Sequence, residues 1–315
     1  MSGAGPFSAL RPLGDRLWRA FLRAPLPLVA VEVRPRAVCA VRLARDGGRL
    51  ALGAAAASEL PAGVLEVSLT KPNLVEPSSF RAALRATLER VGALSGGDVS
   101  LVLPDPCVRL ALVPAAGLRG RDASEVLRFQ LHKALPFEVR GARLAWRVLG
   151  DQALVAVAPD EVVLGYEQAL EELGFRPGLV EAAGLALADA TAPAEAGGDT
   201  LLVNWDAGYV SFILLRAGQP LLIRTLPGES GPDAVARQAV GTLQFHRDRL
   251  GGNGVADVVV RSAACPGEDA LAVLGRALGL APRLIAPWAA LGLAEAGESA
   301  QAVAGAAASV LRRAA

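Results

Sequence analysis

The chain beyond residue 27 begins with the two-residue period of β-strands. Apolar residues alternate with polar ones, or form short continuous runs, in segments that end at turns such as Arg34-Pro35-Arg36. Apolar residues then recur at helical spacing after Ser78 and Ser79, either of which can cap a helix that Gly92 ends. The predicted strands are residues 28–33, 37–43, 49–56 and 98–103. The segment therefore predicts three strands, a helix and a fourth strand.

The same order of elements recurs near the end of the chain. The first two strands of this second set are joined by the turn Asp206-Ala207-Gly208. The predicted strands are residues 200–205, 209–216, 220–226 and 257–260, with helices at 232–250 and 268–278. A duplicated order of elements predicts two similar lobes, and two lobes imply a cleft between them.

A separate small unit interrupts the first copy. Asp122 and Glu125 form an Asp-x-x-Glu capping pattern for a helix that ends near Ala134. Further elements are predicted as strands at 108–113, 142–149 and 153–158, a helix at 160–173, and the delayed helix of the first copy at 181–190. The predicted organisation is an N-terminal segment (1–25), a first lobe (26–104 plus 180–194), an inserted domain (105–179) and a second lobe (195–315).

The N-terminal segment has a different character from the rest of the chain. Within residues 7–22 and just beyond, large apolar side chains including Trp18 and Phe21 recur at helical spacing, between four arginines and one aspartate. A basic amphipathic helix of this kind can lie in a membrane interface or bind a partner. It can equally pack on the surface of its own protein.

Composition narrows the class of protein. The chain has 315 residues, 52% hydrophobic, with a net charge of +1, which argues against disorder and against nucleic-acid binding by bulk charge. Cys39, Cys107 and Cys265 lie too far apart for a zinc motif or a disulfide framework. No apolar run approaches the roughly 20 residues that span a bilayer, and no signal peptide is recognisable. We expect a soluble, cytoplasmic protein.

Common catalytic motifs are absent from the sequence. There is no Walker A loop, no metal-binding histidine or cysteine pair and no nucleophile elbow, and His132 and His246 both fall on predicted helices. The remaining candidate is the turn at residues 206–208. Asp206 could hold a hydrated Mg²⁺, and Gly208 would let the backbone approach a phosphate. Asp and Gly are also common in ordinary tight turns.

The chain resembles the PilM family of type IV pilus assembly proteins, which are actin-like and related to the cell-division protein FtsA. The most specific match is residues 122–138, Asp-Ala-Ser-Glu-Val-Leu-Arg-Phe-Gln-Leu-His-Lys-Ala-Leu-Pro-Phe-Glu. Segments 180–187 and 201–211, Arg224, and an Ala-rich C-terminal helix ending at 311–312 support it. The resemblance implies an α/β, actin-like fold with two ribonuclease-H-like lobes and a small α+β domain inserted in the first.

The resemblance also implies a function. PilM-like proteins are cytoplasmic, lie at the inner membrane, bind the tail of the membrane protein PilN in a groove beside the inserted domain, and bind ATP between the lobes. We therefore expect a scaffold of a type IV pilus or related secretion machine with a PilN-like partner. Membrane contact through residues 7–22 and a homo-oligomer are consistent with this expectation, and nucleic acid is not an expected partner.

The nucleotide positions of the family are only partly kept. The first phosphate turn matches Glu32, Arg34, Pro35 and Cys39, so its glycine and lysine are lost, and Pro35 removes a backbone donor. The second turn keeps Asp206 and Gly208 but continues with Tyr209, and the Gly-Gly pair near the adenine falls at Ser262-Ala263. We expect no cofactor. If ATP and Mg²⁺ do bind, Glu32, Asp206 and Gly208 are the candidate residues, with Asp206 holding the metal through water.

Two alternatives to the scaffold remain. One is an active ATP-binding protein or slow ATPase of the same family. The other is a small-molecule kinase on the same superfold, since fold does not fix function.

Overall fold

The computed structural model describes residues 27–46, 49–118, 122–192, 194, 198–288 and 299–311. The basic segment 7–22, predicted as an amphipathic helix, lies outside the described residues. None of the helices in the described ranges has the length and apolarity needed to cross a membrane.

Strands and helices follow each other in the order that the apolar pattern predicts, with two additional strands, at residues 175–182 and at the two residues 283–284. The strands are β1 (Val29–Arg34), β2 (Ala37–Asp46), β3 (Arg49–Glu59), β4 (Gly97–Leu103), β5 (Arg109–Pro114), β6 (Ala142–Leu149), β7 (Gln152–Pro159), β8 (Phe175–Ala182), β9 (Asp199–Asp206), β10 (Tyr209–Arg216), β11 (Gln219–Pro227), β12 (Val255–Ser262) and β13 (Arg283–Leu284). The helices are α1 (Pro77–Arg90), α2 (Ala123–Leu131), α3 (Asp160–Glu171), α4 (Ala183–Asp189), α5 (Pro232–Arg249), α6 (Gly267–Leu278) and α7 (Ser299–Leu311).

Two five-stranded mixed sheets of the same topology form the two lobes. The first has the order β3-β2-β1-β4-β8 and the second the order β11-β10-β9-β12-β13. In each sheet the first three strands are antiparallel and the last three are parallel. The predicted duplication of the lobes is therefore confirmed, and each lobe packs its own apolar core against the sheet.

The inserted unit is a three-stranded antiparallel sheet in the order β5-β7-β6, covered by α2. Leu127 and Leu131 of α2 pack on Val155 and Val157 of β7, which closes a small separate core. This unit ends earlier than residue 179, the limit that the sequence predicts for it. Side chains of α3 pack in the core of the first lobe, and β8 is the outer strand of the first sheet.

The sequence analysis missed β8 as a strand. Pro177 and Gly178 interrupt its apolar pattern, and such residues are tolerated in a strand chiefly at a sheet edge. The predicted cap of α1 was wrong, because Glu76 and not Ser78 or Ser79 is its N-cap residue, with Pro77 at the first helical position. Asp122 is the N-cap residue of α2, as predicted, although its side chain makes no cap hydrogen bond.

The C-terminal helix α7 lies between the two sheets instead of on the second lobe alone. One face, with Val303 and Ala307, packs on β1 and β2 of the first sheet. An adjacent face, with Ala300 and Ala304, packs on the second sheet and on α4. Small side chains such as alanine let a helix pack closely against more than one neighbouring element. The packing of α7 brings the ends of β1 and β9 close together.

Candidate functional site

The first hairpin turns of the two lobes are joined by an ion pair. Arg34, at the end of β1, donates from Nε to Asp206 Oδ2 at 2.9 Å and from Nη2 to Asp206 Oδ1 at 2.8 Å. Its Nη2 also donates to the carbonyl oxygen of Ala263 at 2.8 Å. A bidentate guanidinium–carboxylate pair of this kind fixes both distance and orientation. The first-lobe turn therefore contacts the second lobe directly.

A second arginine, Arg261 of β12, connects the same carboxylate to the first lobe. Its Nη1 donates to Asp206 Oδ2 and its Nη2 to Glu32 Oε1, both at 2.8 Å. Arg261 also donates to Asn204 Oδ1 at 3.1 Å and to the carbonyl oxygen of Gln301 at 3.0 Å. Arg261, Glu32 and Asp206 have no solvent-exposed surface. We call Glu32, Arg34, Asp206 and Arg261 the interlobe ion cluster.

The Glu32 carboxylate is held tightly on its remaining side by α7. Its Oε2 accepts a hydrogen bond from the backbone N–H of Ala306 at 3.1 Å. Gly305 lies so close that a Cβ atom there would come within 2.6 Å of the carboxylate. Cys39, which faces Glu32 in the pairing of β1 with β2, is fully buried, and burial raises the pKa of its thiol to about 12. It therefore supplies no charge to the site.

The two carboxylates of the cluster respond differently to burial. Burial raises the pKa of Asp206, but Arg261 and Arg34 outweigh it and bring that pKa down to about 2. Burial raises the pKa of Glu32 above its ordinary value, against the lowering effect of the same two arginines. Asp206 is therefore firmly ionised, whereas Glu32 depends on Arg261 for its charge.

The structure thus brings two of the three predicted site residues into one cluster, and the third borders it. Glu32 and Asp206 are bridged by Arg261, and Gly208 follows Asp206 in the turn with a φ of +80°. Both Asp206 oxygens are already used: Oδ1 accepts from Arg34 and from the Ala207 N–H, and Oδ2 accepts from both arginines. In the described part of the chain, no group of three acidic, His or Cys side chains is placed to hold a metal ion.

Sequence reasoning missed Arg261 as a member of the site. A usable signal was present, because Arg261 follows Val258, Val259 and Val260 in a run that reads as a buried strand. An arginine at an inward position of such a strand needs a carboxylate partner. The sequence does not say which carboxylate that is.

A hydrogen-bonded chain extends from the cluster to the start of α4. Asn204 donates from Nδ2 to Asp105 Oδ2 at 2.9 Å, and Asp105 Oδ1 accepts from the backbone N–H of Gly184 at 2.6 Å. Burial raises the pKa of Asp105, although its hydrogen bonds oppose that shift. Asp105 therefore fixes α4 of the first lobe to β9 of the second.

A second candidate site is a groove of about 360 Å³ between the inserted unit and the first lobe. Consecutive residues 143–147 of β6 form one wall, and consecutive residues 179–182 of β8, with Leu185 of α4, form the other. Successive side chains of a strand point to opposite faces, so a wall of consecutive residues is the edge of the strand. Within the described ranges, β6 pairs only with β7 and β8 only with β4. The groove therefore lies between two free strand edges.

The two lobes, the helices between them and the inserted sheet together define an actin-like fold. The chain is similar in structure to a Bacteroides thetaiotaomicron protein of unknown function with an actin-like ATPase fold: the TM-score is 0.54 at 10% identity, over 84% of this chain and 95% of that one. It is also similar to a chain of a PilM–PilN type IV pilus biogenesis complex, with a TM-score of 0.73 at 20% identity, over 92% of this chain and 98% of that chain. No protein-family model matches the sequence, and no curated protein matches it significantly. The predicted actin-like fold and the likeness to PilM in fold are confirmed.

Proposed function

We propose that this chain is a cytoplasmic scaffold at the inner membrane, in a type IV pilus or related secretion machine, and that it binds the cytoplasmic tail of a PilN-like protein. The observation that carries the proposal is the groove between the free edges of β6 and β8. The fold shared with a chain of a PilM–PilN complex supports the choice of partner.

The groove suits an extended peptide better than a compact ligand. Both strands are outer strands of their sheets among the described residues, and the N–H and C=O groups of such an edge can pair with the backbone of an added strand. Between them the walls are largely apolar, with Leu144, Trp146 and Leu185 available to contact side chains of the peptide. Charge is limited to a few side chains, such as Arg147, whose Nη2 lies 3.8 Å from Asp189 Oδ1. The expected ligand is therefore an extended, mainly apolar segment.

The tail can be tested as a synthetic, fluorescein-labelled peptide from the PilN-like protein of the same genome. We expect saturable fluorescence anisotropy with the wild-type chain and a large loss of affinity for Trp146→Glu, which places a charge in the groove wall. Val148→Glu is the matched control, because Val148 lies on the same strand, is 51% exposed and does not line the groove. Binding that survives Trp146→Glu, or that Val148→Glu removes equally, would exclude the groove as the site.

We further propose that the scaffold works without a nucleotide. The Arg34 guanidinium lies where an Mg²⁺ or phosphate would have to meet Asp206, and every Asp206 oxygen already accepts hydrogen bonds. A ligand at about 100 times its Kd would add roughly 2.7 kcal/mol to the free energy of unfolding. We expect no rise in the melting temperature of the wild-type chain with millimolar Mg-ATP. A clear rise would instead support the ATP-binding alternative, with Glu32, Asp206 and Gly208 at its site.

The basic N-terminal segment would add contact with the membrane surface. Its arginines match an anionic lipid surface, and Trp18 and Phe21 are side chains that enter the lipid interface. Flotation with vesicles that contain an anionic lipid tests this idea without any protein partner. We expect the wild-type chain to float and the Trp18→Glu/Phe21→Glu variant to stay at the bottom. Equal behaviour of the two would remove the membrane role from the proposal.

A further inference from the structure

The interlobe ion cluster has a composition that sets it apart from an ordinary buried salt bridge. Glu32 and Arg34 come from the first lobe, and Asp206 and Arg261 come from the second. Two cations meet two anions, and the pairs Arg34–Asp206 and Arg261–Glu32 both cross between the lobes. All four side chains are buried, Arg34 with 7% exposure and the others with none.

We propose that the interlobe ion cluster is a permanent lock, in which the Arg34 guanidinium fills the gap between the two hairpin turns and holds the lobes in one arrangement without a bound ligand. The proposal does not depend on the partner in the groove. It assigns to a side chain of this protein the position between the lobes that a mobile cation or anion would otherwise occupy.

The geometry supports a lock that selects one arrangement of the lobes. Arg34 binds both Asp206 oxygens and the Ala263 carbonyl oxygen, so its planar guanidinium group contacts two separate segments of the second lobe. A rotation of one lobe by even a small angle would break the paired donation, because a bidentate contact has a narrow range of orientation. Buried ionic groups of this kind are best attested as devices that fix one arrangement.

The apolar interface and the ion cluster have different tasks in this arrangement. Closure itself is favoured by the apolar faces of α7 and α4, which are buried between the sheets. Apolar contact is non-directional, so small residues such as Ala300 and Ala304 permit sliding. The directional hydrogen bonds of the interlobe ion cluster prevent this sliding. Loss of Arg34 should therefore affect the uniformity of the lobe arrangement as well as stability.

The experiment is chemical rescue of Arg34→Ala by guanidinium ion. Truncation leaves a gap of guanidinium shape beside Asp206 and the Ala263 carbonyl oxygen. We expect the melting temperature of Arg34→Ala to fall by about 5 to 10 °C. Guanidinium chloride far below its denaturing range should restore part of that loss saturably, whereas equal concentrations of sodium chloride or urea should not. Arg36→Ala is the matched control, because Arg36 belongs to the same turn and is exposed.

A distance measurement separates a lock from a merely stabilising contact. Spin labels at Arg85 of α1 and Arg247 of α5, both exposed, report the separation of the lobes in a Cys265→Ser background. The wild-type chain should give one narrow distribution of distances between the two labels, and Mg-ATP should leave that distribution unchanged. Arg34→Ala should broaden it, and guanidinium should narrow it again.

Two results would overturn the proposal. One is a distance distribution that stays narrow in the folded Arg34→Ala variant, and the other is a wild-type distance distribution that shifts on addition of Mg-ATP. If Arg34→Ala does not fold, Arg34→Lys replaces it, because lysine keeps the charge but cannot make the bidentate contact. An unchanged distribution in Arg34→Lys, with an unchanged melting temperature, would likewise refute the lock.

Discussion

Replacement of Arg261 by Met isolates the electrostatic role of the cluster, because Met fills similar volume without charge. Four hydrogen bonds are lost, to Glu32, Asp206, Asn204 and the Gln301 carbonyl oxygen. Asp206 retains Arg34, but Glu32 retains only the Ala306 N–H and the more distant charge of Arg34. In the folded variant, Glu32 then either stays charged without its partner or takes up a proton.

Proton uptake limits the ionic part of the cost. From the ordinary Glu32 pKa of 4.5, protonation costs about 3.4 kcal/mol at pH 7 and about 0.7 kcal/mol at pH 5. We therefore expect Arg261→Met to lower the free energy of unfolding by about 3 to 5 kcal/mol at pH 7, the range for breaking a buried ion pair. About 2 to 3 kcal/mol of that loss should return by pH 5. The sign follows because the folded variant binds one proton more than its unfolded chain between the two pKa values, so stability falls as pH rises.

Urea unfolding monitored by circular dichroism at pH 5, 6, 7 and 8 measures this difference between the variant and the wild-type chain. Glu32→Gln/Arg261→Met, which removes the unpaired carboxylate, should show no such pH dependence. Arg283→Met, which breaks an exposed pair with Asp257, should cost at most about 1 kcal/mol at each pH. If Arg261→Met lowers the free energy of unfolding equally at pH 5 and pH 8, the reasoning is refuted, because the loss of stability would then come from packing alone.

Three further predictions concern the same region. Acidification from pH 4 to pH 2 should lower the free energy of unfolding by about 2 kcal/mol, because the pKa of Asp206 is about 2 in the folded protein against 3.8 ordinarily. In an acid titration followed by circular dichroism, Asp206→Asn should not show this loss of stability. Gly208→Val should cost about 1 to 2 kcal/mol in urea unfolding, since Gly208 has a φ of +80°. Gly231→Ala, in open space at ordinary φ, should cost far less. Gly305→Ala should cost about 1 to 3 kcal/mol in the same assay, because the added Cβ would displace the Glu32 carboxylate.

The local order of elements was predictable because it depends on neighbours in sequence. Strand β10 and strand β6 have the predicted limits, since alternation and adjacent turns define both. The duplicated order of strands and helices was enough to predict two lobes of the same topology, which the sheets confirm. Strand β8 was not predicted because Pro177 and Gly178 interrupt its apolar pattern. Its place at the edge of the sheet is what allows these residues in a strand.

The candidate sites were predictable only in part. The sequence shows the turn at Asp206 and Gly208, the turn at Arg34 and Pro35, and the charged Glu32 within an apolar strand. The resemblance led us to expect a groove beside the inserted domain, but its walls could not be assigned, because they are the edges of two strands that belong to different sheets. No local pattern records which strand edges remain free.

The sequence by itself determined most of the elements, their duplication, and the placement of Arg34 and Asp206 at the first hairpin turn of each lobe. These depend on side-chain periodicity and on the identity of single residues, both of which are local. Only the tertiary structure decided that Arg34 meets Asp206, 172 residues away, and that α7 returns to the first lobe. Such contacts are set by the packing of whole sheets and helices, so an arginine that the sequence shows only as part of a hairpin turn becomes the partner of a buried carboxylate.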